Sequence, residues 1–124
     1  MSEQTKCSVK FKYKCKDIKY DKVGIVGCLD ILKNWDIDHP IFLSYDDKNK
    51  VFISSEIELP REQNIEYKYV FHHNNGKIWE DLLKHANRHL EIKDESSLVI
   101  LDKEKDPNSI IEFKEKKKKT YFKE

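Results

Sequence analysis

At 124 residues and 14.9 kDa the chain has room for one domain built around one modest core. Hydrophobic residues make up 38%, including six Tyr, six Phe and two Trp, which is too aromatic for a disordered segment even though another 38% is charged. Lys plus Arg number 24 and Asp plus Glu 23, so a formal charge of +1 provides no overall field to hold nucleic acid.

Residues 1–16 lack the apolar centre and small-residue cleavage site of a secretory leader. No apolar run approaches the roughly 20 residues that span a bilayer, so the expectation is a cytoplasmic protein without a membrane partner. Cys7, Cys15 and Cys28 form an odd, sparse set with no Cys-x-x-Cys pair and read as reduced thiols. Residues 1–8 are expected to be a flexible N-terminus ahead of a domain over 9–114.

From Val9 to Cys15 the sequence alternates strictly, with Val9, Phe11, Tyr13 and Cys15 on one side and lysines on the other. Period two is the mark of a half-buried strand. Residues 22–28 form a second run, closed by Gly27 as if the backbone there needed positive φ or a close approach. After Pro40, residues 41–45 lead through an Asp-Asp-Lys-Asn-Lys turn into residues 51–59, a predicted hairpin. In the next strand Ile65, Tyr67, Tyr69 and Phe71 alternate with Glu66, Lys68 and Val70, which turns Lys68 away from the aromatic core face. Asn75-Gly76 reads as a two-residue turn returning through Lys77, Ile78 and Trp79. Leu82, Leu83, Ala86 and Leu90 have spacings compatible with a short helix near residues 80–90. Residues 98–101 and 110–113 are expected to be closing strands, and the Lys-rich residues 115–124 a solvated tail. These elements predict an all-β fold, an antiparallel immunoglobulin-like β-sandwich of seven or eight strands.

The common catalytic motifs are missing: no Gly-x-Ser-x-Gly, no phosphate-binding loop, no His-Glu-x-x-His. His85 and His89 are four apart, a spacing able to chelate zinc with His72 or His73, but no cysteine or carboxylate spacing supports it. They read as partly exposed histidines in a polar turn, and neither metal nor cofactor is expected. The two tryptophans fit two roles equally well. Trp35, in a polar loop, and Trp79, beyond a hairpin tip, either cap the ends of the core or form a flat platform for a ligand. A pyranose ring suits the second role, since its apolar C–H face stacks on indole while its hydroxyls need Lys, Asn or Glu nearby.

The ordered fragments Val26-Gly27, Leu32-x-x-Trp35, Ile57-x-Leu59-Pro60, Glu66-Tyr67-Lys68-Tyr69 and Trp79-Glu80 resemble the starch-binding domain, carbohydrate-binding module family 20, from about Val9 to Leu90. The resemblance implies a sandwich that binds α-1,4-glucan (starch, glycogen or maltooligosaccharide) without cleaving it, so no enzyme activity is expected. It also implies a site composed of Trp35, Lys68, Trp79, Glu80 and Asn87. Two departures stand out: Lys33 occupies a position where the family usually has glycine, and Asn87 lies further beyond Trp79 than is usual, after an insertion at residues 82–84. Tyr20 and Tyr45 fall near the region of a second site found in some members, and read here as strand-end aromatics. The partners expected are an α-glucan and a glucan-metabolising enzyme, with the chain itself a monomer. The alternative is a protein-interaction module that keeps the sandwich and has lost the glucan.

Overall fold

The computed structural model describes residues 6–15, 21–74, 76–82 and 86–116. Two five-stranded sheets face each other. The first has the order β10 (Asp106–Lys116), β9 (Glu95–Lys103), β1 (Lys6–Lys14), β5 (Val51–Pro60) and β4 (Ser44–Asp46). The second has β3 (Ile41–Phe42), β2 (Lys22–Gly27), β6 (Asn64–His73) and β7 (Gly76–Trp79), with β8 (Arg88–Glu91) also paired to β6.

The two strands with the clearest alternation meet at the centre. Cys7, Val9, Phe11 and Tyr13 of β1 point inward from the first sheet, and Ile65, Tyr67, Tyr69 and Phe71 of β6 point inward from the second. Their rings pack across the gap, Phe11 on Tyr67 with centroids 5.0 Å apart and Tyr13 on Tyr69 at 4.5 Å. Tilted ring pairs at these separations add to the gain from burying their area. A register shift between Lys10 and Lys12 takes the Phe11 N–H out of the ladder, and the buried Ser54 hydroxyl accepts it at 2.9 Å.

The sandwich is as expected, with five differences. The described residues form ten strands because residues 41–46 divide at Leu43: β3 pairs with β2 in one sheet and β4 with β5 in the other. The tenth is β8, formed where helical spacing was expected; Arg88 and Leu90 face inward while His89 and Glu91 face out, a period of two. Residues 83–85 lie outside the described residues. Thirdly, β1 pairs antiparallel with β5 but parallel with β9, since more than half the chain separates β1 from β9 and supplies the crossover a parallel pair needs. Fourthly, β6 and β7 pair His73 with Gly76, so the hairpin tip comes one residue early, with Asn74 in the left-handed region at φ 49°. Asn tolerates that conformation, which leaves Gly76 in the ladder. Finally, paired strands extend past the limits of 9 and 114, from Lys6 to Lys116.

Gly27 is needed for close approach and not for positive φ. A Cβ there would lie 2.6 Å from the Glu66 carbonyl oxygen and 2.7 Å from Leu32 Cδ1, and Leu32 is fully buried. Gly27→Ala should therefore lower stability by about 1–3 kcal/mol through overpacking, read as an earlier urea midpoint; a midpoint equal to the wild type would contradict this close packing.

Candidate functional site on the outer face of the second sheet

The alternation that sends Tyr67, Tyr69 and Phe71 into the core sends Lys68, Val70 and His72 to the outer face of the second sheet. Directly paired residues share a face, so the register builds that surface row by row. One row runs Phe42, Gly24, Val70, Trp79; the next, about 7 Å along the strands, contains Val26 and Lys68. Asn87 immediately precedes Arg88, the partner of Tyr67 in the ladder. Its side-chain amide donates to Glu66 Oε1 at 3.0 Å. Trp79 is 41% exposed and Lys68 only 8%.

Trp35 ends the loop that leads onto this face. Residues Asp30–Trp35 form a 3-10 turn around the buried Leu32, closed by the Leu32 N–H on the Leu29 carbonyl at 2.8 Å. Lys33, Asn34 and Trp35 then take left-handed conformations in succession, with φ of 68°, 49° and 64°. Lys33 thus occupies a left-handed position that glycine would take freely, at a strain of roughly 1 kcal/mol. Asn34 is held by its amide donating to the Asp30 carboxylate. After Trp35 the chain crosses the outer face: the Ile37 carbonyl meets His72, Asp38 meets Lys77, and Pro40 fills the space left by Gly24, within 2.8 Å of where its Cβ would be.

Glu80 faces the other way. One residue after Trp79 the alternation reverses, and Glu80 is 3% exposed in the core. Its Oε1 accepts the Tyr69 N–H at 3.1 Å, and its two oxygens accept Arg88 Nε and Nη2, the shortest contact being 2.6 Å. Arg88 is 1% exposed and donates further to the carbonyls of Asp106 at 2.7 Å and Lys103 at 2.9 Å, with Asp102 Oδ1 at 3.3 Å from Nη1. Asp102 in turn accepts the phenols of Tyr67 and Tyr69, each at 2.8 Å, and the hydroxyl of Ser109. Four of the five expected site residues therefore belong to the outer face or to the loop laid across it, whereas the Glu80 carboxylate is committed to Arg88.

Residues 6–101 match the family described as the starch binding domain. The chain belongs to the starch-binding domain family. Among solved structures it is similar to a glycoside hydrolase family 15 glucoamylase from Hypocrea jecorina, with 21% identity and a TM-score of 0.65 over 80% of this chain and 17% of that one. It is also similar to the gamma-CGTase of alkalophilic Bacillus clarkii, with 20% identity, a TM-score of 0.63, and 82% and 15% of the two chains covered. The family 20 carbohydrate-binding module of the maltotetraose-forming amylase from Pseudomonas saccharophila matches with 19% identity and a TM-score of 0.54 over 74% of this chain and 96% of that one. These likenesses support the fold, and the chain spans only 17% of the glucoamylase's length. No curated protein matches it in sequence. A starch-binding domain is a binding module and not a catalytic one.

In this starch-binding domain Tyr45 is half-buried against Phe52, ring centroids 4.9 Å apart, while Tyr20 and His85 lie outside the described residues. Among the described residues no three His, Cys, Asp or Glu side chains are grouped to hold a metal ion. Sequence reading overlooked Arg88 and Asp102; the only signal available was a basic residue at an inward period-two position, obscured by the helical spacing of its neighbours.

Burial alone would lower the Arg88 pKa, but the hydrogen bonds and charge of Glu80, with the charge of Asp102, hold it above the usual value. Removing one member of such a cluster strands its partner, so Arg88→Met should cost about 3–5 kcal/mol in urea unfolding, and a loss comparable to that of a surface lysine would exclude the cluster as a structural anchor. Burial, followed by the charge of Asp102, pushes the Tyr67 and Tyr69 phenols well above the ordinary 10.0. Burial likewise raises the Cys7 thiol from 9.0 to about 11. An acid with a raised pKa keeps its proton in the folded state after the unfolded chain has lost it, so stability falls as pH climbs through the unfolded values. The urea midpoint should accordingly decline from about pH 9 upward; a flat profile to pH 11 would contradict these environments.

Proposed function

We propose that this chain binds α-1,4-glucan on the outer face of the second sheet and leaves it uncleaved. Trp35 and Trp79 form the two apolar walls against which the pyranose C–H faces stack, while Lys68 and Asn87 hydrogen-bond the hydroxyls. Glu80 acts from behind, as the anchor that turns Trp79 outward. The observation carrying this reading is the register of β6 with β7, which turns Trp79 and Lys68 to one face, where the Asn87 amide bonds Glu66 of the same face. Membership of the starch-binding domain family supports the ligand class. Starch, glycogen and maltooligosaccharides all present the curved chain such walls would cradle. A similar fold within a glucoamylase supports a role in bringing a glucan-acting enzyme to its polymer.

Each polar contact replaces one with water, so its net value is about 1 kcal/mol, while an indole contributes more by excluding water from a large apolar area. A shallow face that orders a flexible sugar implies micromolar or weaker affinity. Titration with maltoheptaose, followed by tryptophan fluorescence and calorimetry with cellohexaose as control, should saturate for the α-glucan only. Trp35→Ala and Trp79→Ala should each weaken binding by about 30-fold or more, and Asn87→Ala by about five-fold. No heat and no fluorescence change with maltoheptaose would remove the glucan reading.

A further inference from the structure

The two proposed indoles sit on different elements, Trp35 on a loop and Trp79 on an edge strand, so contacts between the two must set their spacing. Besides the packing of Pro40 at Gly24, two polar contacts among the described residues bridge the loop to the sheet. His72 Nε2 lies 2.9 Å from the Ile37 carbonyl oxygen, and since a carbonyl only accepts, Nε2 carries the proton. Lys77 Nζ lies 2.7 Å from Asp38 Oδ1. His72 and Lys77 are paired across β6 and β7, in the row next to the one that pairs Val70 with Trp79. Lys77 is therefore two residues from Trp79 on the same face of the same strand.

At the loop end the contacts reach equally close to Trp35. The Asp38 N–H donates to Asp36 Oδ1 at 3.0 Å, and His39 Nδ1 lies 3.1 Å from Asp36 Oδ2, so residues 36–39 form one tight unit directly after the indole. The Phe42 ring meets the His72 imidazole edge-on, with centroids 5.1 Å apart, and fixes its plane. We propose that His72 and Lys77 are positioning residues of the glucan site: they pin the 36–39 unit to the strands behind Trp79 and so set the gap between the indoles. The inference rests on the glucan reading above and adds the residues that give the site its shape. The two contacts differ in strength. The Lys77 pair is about half exposed, with side-chain accessibilities of 43% and 56%, so screening weakens it, and His72 carries the larger share.

A tether acts by raising the fraction of molecules whose loop is ready to bind, and the apparent dissociation constant scales inversely with that fraction. His72→Phe keeps the ring against Phe42 but loses the donor, and should weaken maltoheptaose binding by about five-fold. His72→Gln, which still offers an N–H at a similar reach, should restore most of it. Lys77→Met should cost about two-fold, more at low salt than at high, and the double variant about ten-fold.

A second readout needs no ligand. With Trp79→Phe, Trp35 is the sole indole in the chain, and its quenching by acrylamide should rise with His72→Phe and stay low with His72→Gln. Unchanged quenching in the His72→Phe, Lys77→Met variant would overturn the tether. Raised quenching with unchanged maltoheptaose affinity would overturn its role in positioning. If the wild type binds no maltoheptaose, the glucan reading fails by itself, and with it the positioning role, while quenching still reports whether the loop is pinned. A lowered thermal midpoint in His72→Phe that His72→Gln does not restore would assign His72 to the core and overturn the proposal.

Discussion

A guanidinium with almost no access to water governs the arrangement of this sandwich. Arg88 must find a partner for each of its donors inside the protein, since an unpaired buried charge costs several kcal/mol. It finds them in the Glu80 carboxylate, in Asp102, and in the carbonyls of Lys103 and Asp106. These groups come from the segment after β7, from β9 and from the start of β10, so one side chain joins the edges of both sheets. Asp102 extends the cluster to Tyr67 and Tyr69 at the centre of β6, the strand on which the second sheet is built.

The same cluster orients the outer face. Glu80 accepts the backbone N–H of Tyr69 as well as Arg88, so its side chain must point inward. In an extended chain neighbouring side chains point to opposite sides, and Trp79 is consequently turned out. The ion pair in the interior and the indole at the surface are two results of one register. Buried ion clusters add little net stability compared with apolar packing of the same volume, because desolvation offsets most of the attraction. In this sandwich the observed register of β7 and β8 against β6 satisfies the cluster, and the same register turns Trp79 and Lys68 to one face.

The loop carrying Trp35 follows a different logic. It has three successive left-handed residues, none of them glycine, and such a path persists only when its surroundings hold it. Leu32 is locked into the notch at Gly27, and Pro40 occupies the notch at Gly24. Between these two fixed points the chain has few conformations left, and the bonds from His72 and Lys77 select among them. Missing side chains at two glycines thus do as much to shape the face as the aromatic residues on it.

Sequence alone determined what depends on short-range patterning. Strict period two in residues 9–15 and 65–71 was sufficient to find both central strands and the outward direction of Lys68, because burial on one side of a pleated strand leaves no other periodicity. The turn into β5 was legible for similar local reasons, while Gly27 was marked as needing either positive φ or close approach and the structure chose the second. Tertiary structure decided whatever depends on partners remote in sequence. The inward turn of Glu80 follows from Arg88, and the strand at Arg88–Glu91 follows from the free edge of β6, although leucine spacing nearby suited a helix. The division of residues 41–46 between two sheets and the parallel pairing of β1 with β9 also depend on neighbours that no local window contains. Hydrophobic periodicity records which side of a strand is dry; it does not record which strand lies alongside, and that pairing decides which charges must meet in the core.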